Sequence, residues 1–449
     1  MTQPGIPLAA APGSGPAAVP PQWIPLGFML AAGVGFTGVG FSTWFGADKW
    51  VLSPFHSAVV STAHLAMLAF LTTAVLGALH QFGPVVGQRP LRSIPVAVAT
   101  MIGMILTGWL LPMGFAHGPE WLVATGATIG VTTVILAAWN LSGPLLSRVG
   151  GVPVVGLRIS VLYLLVTVSF GIVYAFNREG GWFPLLPTKI LAHAHLGLLG
   201  WLGLTYISVA EKLWPMFLLA HRPSNRSGAV AVAGVAIGTL PLALGLLYAN
   251  PVAAWIGAVF VVVGLAAHLI SLAASVRHRR RKLELLHAFL FASTAFLIAG
   301  VALGGIAGFG GVDAPLRLRI AVAEIVAIAS WLGLAIVGHA HKIVPFITYS
   351  MLRARGIRNH VSGRPLLFSD LYNKRVAWVV LFGCAIGFTG VLVGTLIDSS
   401  SVVAVAGMLI AATAATVTTN FIVGTRSAPV SPPDPSSIDH TTIPVKGTA

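Results

Sequence analysis

The residues in this chain best suited to chemistry are its histidines. There are 14 of them against 11 aspartates and glutamates together, and those inside long apolar stretches include six candidates for a site: His64, His80, His193, His195, His339 and His341. An ionisable side chain in such a stretch is costly and is read first as functional. Neutral imidazole carries no charge into lipid, and it is a common axial donor to haem iron and a ligand of copper. One such histidine alone reads as readily as a structural residue bonded to a nearby carbonyl. Their clustering favours at least one haem or metal site. Residues two apart on a helix are turned by about 200°, so the pairs His193/His195 and His339/His341 each point to opposite sides and cannot chelate one ion. His64 and His80 are ~24 Å apart along one helix, so they belong to different layers. The outer layer holds His64, His193 and His195, with His56 and His117 near it. The inner layer holds His80, His339, His341 and Glu211, with His287 in reach. Glu211 and Glu324 are the candidates for handling protons. Glu211 beside Lys212 reads equally as an interfacial ion pair, whereas Glu324 stands alone in its apolar stretch. His268 has no obvious partner and reads as structural. His221, His278, His360 and His440 sit in polar segments and read as solvated.

The elements that must position these residues repeat. The stretch 193–217, HAHLGLLGWLGLTYISVAEKLWPMF, has counterparts at 64–86 and 325–347. Aligned on Pro84, Pro215 and Pro345, the three copies agree column by column. Fourteen residues before each proline stands Phe70, Trp201 or Trp331, each followed by Leu. Seven before stands Gly77, Ser208 or Gly338. Four before stands His80, Glu211 or His341, and three before stands Gln81, Lys212 or Lys342. The prolines are 131 and 130 residues apart. A constant period of this length sets a whole architecture.

Composition fixes the class. Charged residues make up 8% of the 449, hydrophobic ones 56%, and the mean hydropathy is +0.90. A globular chain usually has about a quarter of its residues charged. This is the composition of a polytopic membrane protein. The net charge of +15 would suggest nucleic acid in a soluble chain; here basic loops on one side of a bilayer explain it, and no nucleic-acid partner is expected. The one cysteine, Cys384, excludes an internal disulfide or thiolate cluster.

Apolar stretches of bilayer-crossing length fall at 24–46, 54–86, 93–113, 119–142, 153–176, 187–220, 228–249, 252–276, 284–308, 318–350, 376–397 and 401–424. The expectation is an all-α membrane domain over 24–424, in three quasi-equivalent four-helix repeats: 24–142, 153–276 and 284–424. Tails at 1–23 and 425–449, rich in Ala, Pro, Gly and Ser, are expected to be disordered. Arg and Lys concentrate in the loops after even-numbered spans, most of all in 351–375, which places both termini in the cytoplasm of a multi-pass protein of the inner or plasma membrane. Anionic lipid head groups suffice as the partner of that loop.

Twelve spans in three sets of four, with histidine in the second, sixth and tenth, resemble subunit I of the haem-copper oxidases, a superfamily that includes cytochrome c oxidases and nitric oxide reductases. STAHLAMLAF at 61–70 looks like that family's second helix, and GHAHK at 338–342 like its tenth. The resemblance implies that His64 and His341 ligate a low-spin haem and His339 a high-spin haem, with His80 and His195 as further candidates. It implies haem as cofactor, copper as a possible second, and an electron-donor protein or partner subunit. If catalytic, the chain would be an oxidoreductase handling oxygen or nitric oxide. The pattern departs from the family at copper: the seventh span has no histidine, and Tyr206 is wrongly spaced from His195 for the family's cross-link; His193 and His195 are the metal candidates. A reading from another class is a transporter or metal-handling membrane protein without haem, since repeats with polar residues near the midplane also mark transporters.

Overall fold

The computed structural model describes residues 20–53, 55–221 and 225–431. Most of the two expected tails, and Arg222, lie outside the described residues. Among the described residues, twelve helices of 22 to 41 residues are long and apolar enough to cross a bilayer: α1 Trp23–Phe45, α2 Ser57–Gly87, α3 Ile94–Ala116, α4 Glu120–Leu145, α5 Gly151–Gly180, α6 Pro187–Leu218, α7 Arg226–Leu247, α8 Pro251–Arg277, α9 Leu285–Phe309, α10 Ala314–Ala354, α11 Lys374–Leu396 and α12 Ser400–Arg426. Among the described residues there are two isolated β-bridges and no strand. Helices are the elements that satisfy every backbone group within one segment, as a spanning chain requires.

The helix ends follow from sequence. Ser93, Asn250, Asp313, Asn373 and Ser399 each accept a backbone N–H of the first turn at α3, α8, α10, α11 and α12. Prolines open α3, α6, α8 and α10, where no intrahelical donor is lost.

The chain divides into two compact units. One contains Met1–Ala31 and Val60–Lys282, the other Ala32–Val59 and Leu283–Ala449. In the first, α3 pairs with α4, α5 packs on α6, and α7 pairs with α8; in the second, α9 pairs with α10 and α11 with α12. The division at 282/283 coincides with an expected repeat boundary, while 142 and 153 fall inside the first unit.

Similar contacts recur within these pairs. A Cβ on Gly103 of α3 would stand 2.1 Å from Thr133 Oγ1 of α4, and one on Gly383 of α11 would stand 2.2 Å from Thr413 Oγ1 of α12. Asn140 Oδ1 accepts the N–H of Ser93 at 2.8 Å, and Asn420 Oδ1 that of Asn373 at 2.9 Å. In α7 and α8, Gly234 meets Gly264 in the same way. Small residues at these points let backbones approach, which is how helices associate in lipid.

The longest described helix, α10, runs four residues beyond the expected span 318–350 at each end. Loop 351–375 is more than a carrier of charge. Leu352, Leu366 and Leu371 are buried there against Tyr349, Ile357 and Val430. Arg364 grips Asp370 through two hydrogen bonds of 2.7 and 2.9 Å. Residues 427–431, expected to be tail, lie along this loop: Val430 bridges His360, and Ser431 Oγ donates to the His360 carbonyl at 2.8 Å.

Candidate functional site: the buried histidines

The helices that carry the histidines are unusual ones. Both α2 and α6 widen to π-helical turns, at Leu65–Thr72 and Leu196–Gly203, immediately after His64 and His195. Such π-turns are rare and frequent at functional sites. In contrast, α10 is α-helical throughout.

Five of the six histidines are oriented alike. Nδ1 of His64, His80, His195, His339 and His341 donates to the carbonyl four residues earlier, of Val60, Leu76, Leu191, Ala335 and Val337, at 2.7 to 2.8 Å. This bond holds the proton on Nδ1 and leaves the lone pair on Nε2, the tautomer of an Nε2 metal ligand. Exposed His278 makes the same bond, so the tether alone selects nothing.

A stacked phenylalanine sets two of them apart. His80 and His341 are both buried, and Nε2 of each has no hydrogen-bond partner. Phe28 of α1 stacks on His80 with ring centroids 5.3 Å apart and 22° between planes; Phe289 of α9 stacks on His341 at 5.1 Å and 28°. Tyr372 and Phe421 add edges to His341 at 5.5 and 4.9 Å. The small residue one turn before each histidine makes room for the phenylalanine, since a Cβ on Gly77 or Gly338 would stand 2.4 or 2.6 Å from Phe28 or Phe289 Cβ. Leaving a buried nitrogen unsatisfied costs about 1–3 kcal/mol. That fits a donor held for a ligand, and the residues fit haem iron in donor type.

The third member of this column behaves differently. Glu211 of α6 is buried and accepts the Ser271 hydroxyl of α8 at 2.8 Å, and His268 Nδ1 lies 3.9 Å from its other oxygen. The Tyr206 ring meets His268 edge-on at 5.5 Å. Gly228 at the start of α7 gives the carboxylate space, because a Cβ there would be 2.1 Å from Glu211 Oε2. Glu211 is buried while Lys212 is exposed, so the two neighbours point to different surroundings. Lys342 pairs with Glu284 at the start of α9, and Glu284 shares a capping box with His287. Glu324 is half-buried beside Gly304 and belongs to the other unit from Glu211.

His193 and His195 diverge as their spacing requires. His193 lies by His64, ring centroids 6.3 Å apart, with Tyr174 at 5.8 Å, while His195 is tethered to Leu191. Phe115 covers His64 at 4.8 Å. Among the described residues, no group of three or more His, Cys, Asp or Glu side chains could hold a metal ion.

Sequence reasoning missed His268 as a neighbour of Glu211. The signal available was its i,i+3 spacing with Ser271, which puts both on one face of α8. Phe28 and Phe289 were not singled out either, although the repeat period carries one onto the other. No protein-family model matches this chain, and no curated protein matches its sequence.

Proposed function

We propose that this chain is a haem-binding integral membrane protein built like subunit I of the haem-copper oxidases, acting in electron transfer or in the handling of oxygen or nitric oxide. The observation that carries this reading is the arrangement shared by His80 and His341: a tethered Nδ1, a stacked phenylalanine and a buried Nε2 without a partner. His80 in the first unit and His341 in the second would each be an axial donor within its own unit, while His64, His195 and His339 hold the same tautomer. Bound haem would supply one-electron chemistry. The chain's own part is to orient the imidazoles and exclude water around them.

The finer architecture belongs to the same proposal. Three equivalent four-helix sets are supported by the pairs Gly103–Thr133, Gly234–Gly264 and Gly383–Thr413, and by the offset of 261 that separates both 28 from 289 and 80 from 341. Both termini would be cytoplasmic in the plasma membrane, supported by the basic loops. The family's three-histidine copper centre is not part of the proposal, because α7 has no histidine.

The test is a dithionite-reduced minus oxidised visible spectrum of detergent-purified, monodisperse protein. Paired haem bands are expected. Their absence from protein expressed with ample haem overturns the reading and favours the second one, a haem-free transporter. That reading draws on the buried Glu211–Ser271–His268 cluster, which would suit a coupling proton.

A further inference from the structure

The seam between α2 and α6, within the first unit, carries donor atoms that the haem proposal leaves unused. His64 and His193 approach across it with ring centroids 6.3 Å apart and 22° between planes. His64 has its proton fixed on Nδ1 by the Val60 carbonyl, so its lone pair is on Nε2. His193 is the one intramembrane histidine of the six without a tether to the carbonyl four residues back. That carbonyl, of Lys189, accepts the Tyr174 hydroxyl at 3.1 Å instead. His193 Nδ1 is consequently buried with no hydrogen-bond partner, and the Tyr174 ring lies 5.8 Å away. One turn along the seam the Met67 side chain reaches α6, its methyl 3.6 Å from where a Cβ on Gly197 would stand. A turn further, Trp201 Nε1 donates to Thr72 Oγ1 at 3.1 Å and joins the two helices.

We propose that His64, His193 and Met67 form a binding site for monovalent copper. Two neutral imidazoles and a thioether are a soft donor set with no carboxylate, which favours Cu(I) over harder ions. Structural zinc takes four ligands, and among the described residues no group of three or more His, Cys, Asp or Glu stands here. Charge argues the same way. The cost of burying an ion rises with the square of its charge, and the site supplies no counter-charge. A monovalent ion is the one such a seam can hold. Tyr174 is a positioning residue: by taking the Lys189 carbonyl it keeps His193 Nδ1 open.

The experiment is anaerobic competition for Cu(I) between the purified full chain and a coloured Cu(I) chelator, with haem read on the same samples by difference spectrum. Wild type is expected to retain one copper per chain. His193→Leu and the near-isosteric Met67→Leu should each weaken binding about tenfold or more, and Tyr174→Phe should weaken it by a similar factor through the restored tether. His278→Ala, on an exposed histidine, should change nothing. Haem bands should survive His193→Leu, so copper and haem fail independently. The inference is overturned if folded wild type binds no Cu(I), if Zn(II) binds more tightly, or if Met67→Leu and His193→Leu both leave the affinity unchanged.

Discussion

Phe28 lies flat on His80 with ring centroids 5.3 Å apart, and the same stack recurs 261 residues later between Phe289 and His341. Each imidazole is pinned from two sides. The carbonyl four residues back fixes its rotation, and the phenyl face fixes its tilt. What remains is a single buried nitrogen held in a defined direction, an arrangement that costs stability unless something binds there.

If that nitrogen is a haem donor, His80→Ala and His341→Ala should each remove or shift haem absorbance in the reduced minus oxidised spectrum. His278→Ala should leave it intact. Retention of full haem by both buried-site variants would move the ligand assignment elsewhere.

The stack depends on the glycine beside it. Gly77→Val would drive a side chain into Phe28, whose Cβ stands 2.4 Å from even a modest Cβ at that point. Overpacking of this kind typically costs about 1–3 kcal/mol. A lowered unfolding temperature in detergent is expected for Gly77→Val. Gly305→Ala, where a Cβ meets nothing within 4 Å, should melt like wild type.

Ser271 and Glu211 form a buried hydrogen bond to a carboxylate, a class worth about 1.5–3 kcal/mol. Ser271→Ala should lower thermal stability, and Ser271→Thr, which keeps the hydroxyl, should recover part of it. Equal melting of wild type and Ser271→Ala would show that the bond contributes nothing measurable.

Outside the membrane, Arg364 holds the Asp370 carboxyl below the usual aspartate range, chiefly through their hydrogen bonds. A depressed carboxylate pKa stabilises the folded loop above the unfolded aspartate value, and that contribution is lost as pH falls through the lowered folded value. Hydrogen exchange of residues 357–371, corrected for intrinsic rates, should accelerate at acid pH relative to neutral. Asp370→Asn should exchange faster already at neutral pH and lose most of the pH dependence.

The sequence alone determined the class, the twelve spans and the helices that matter. Apolar length and the scarcity of charge leave a bilayer as the only solvent for this chain, and caps such as Ser93 and Asp313 mark helix starts through local chemistry. The opposed directions of His193 and His195 were legible too, because helical rotation is a local property. Tertiary structure alone decided what each side chain meets. Glu211 next to Lys212 reads either as an interfacial ion pair or as a proton-handling carboxylate, and helix rotation buries the one against Ser271 and His268, sixty and fifty-seven residues away, and exposes the other. Tyr174 takes the Lys189 carbonyl and so releases His193, a relation between α5 and α6 that no spacing within one helix encodes. Residues 427–431 likewise read as tail by composition, and they are ordered by hydrogen bonds to a loop some seventy residues earlier. Periodicity reports which face of a helix is apolar; only packing reports which neighbour that face finds.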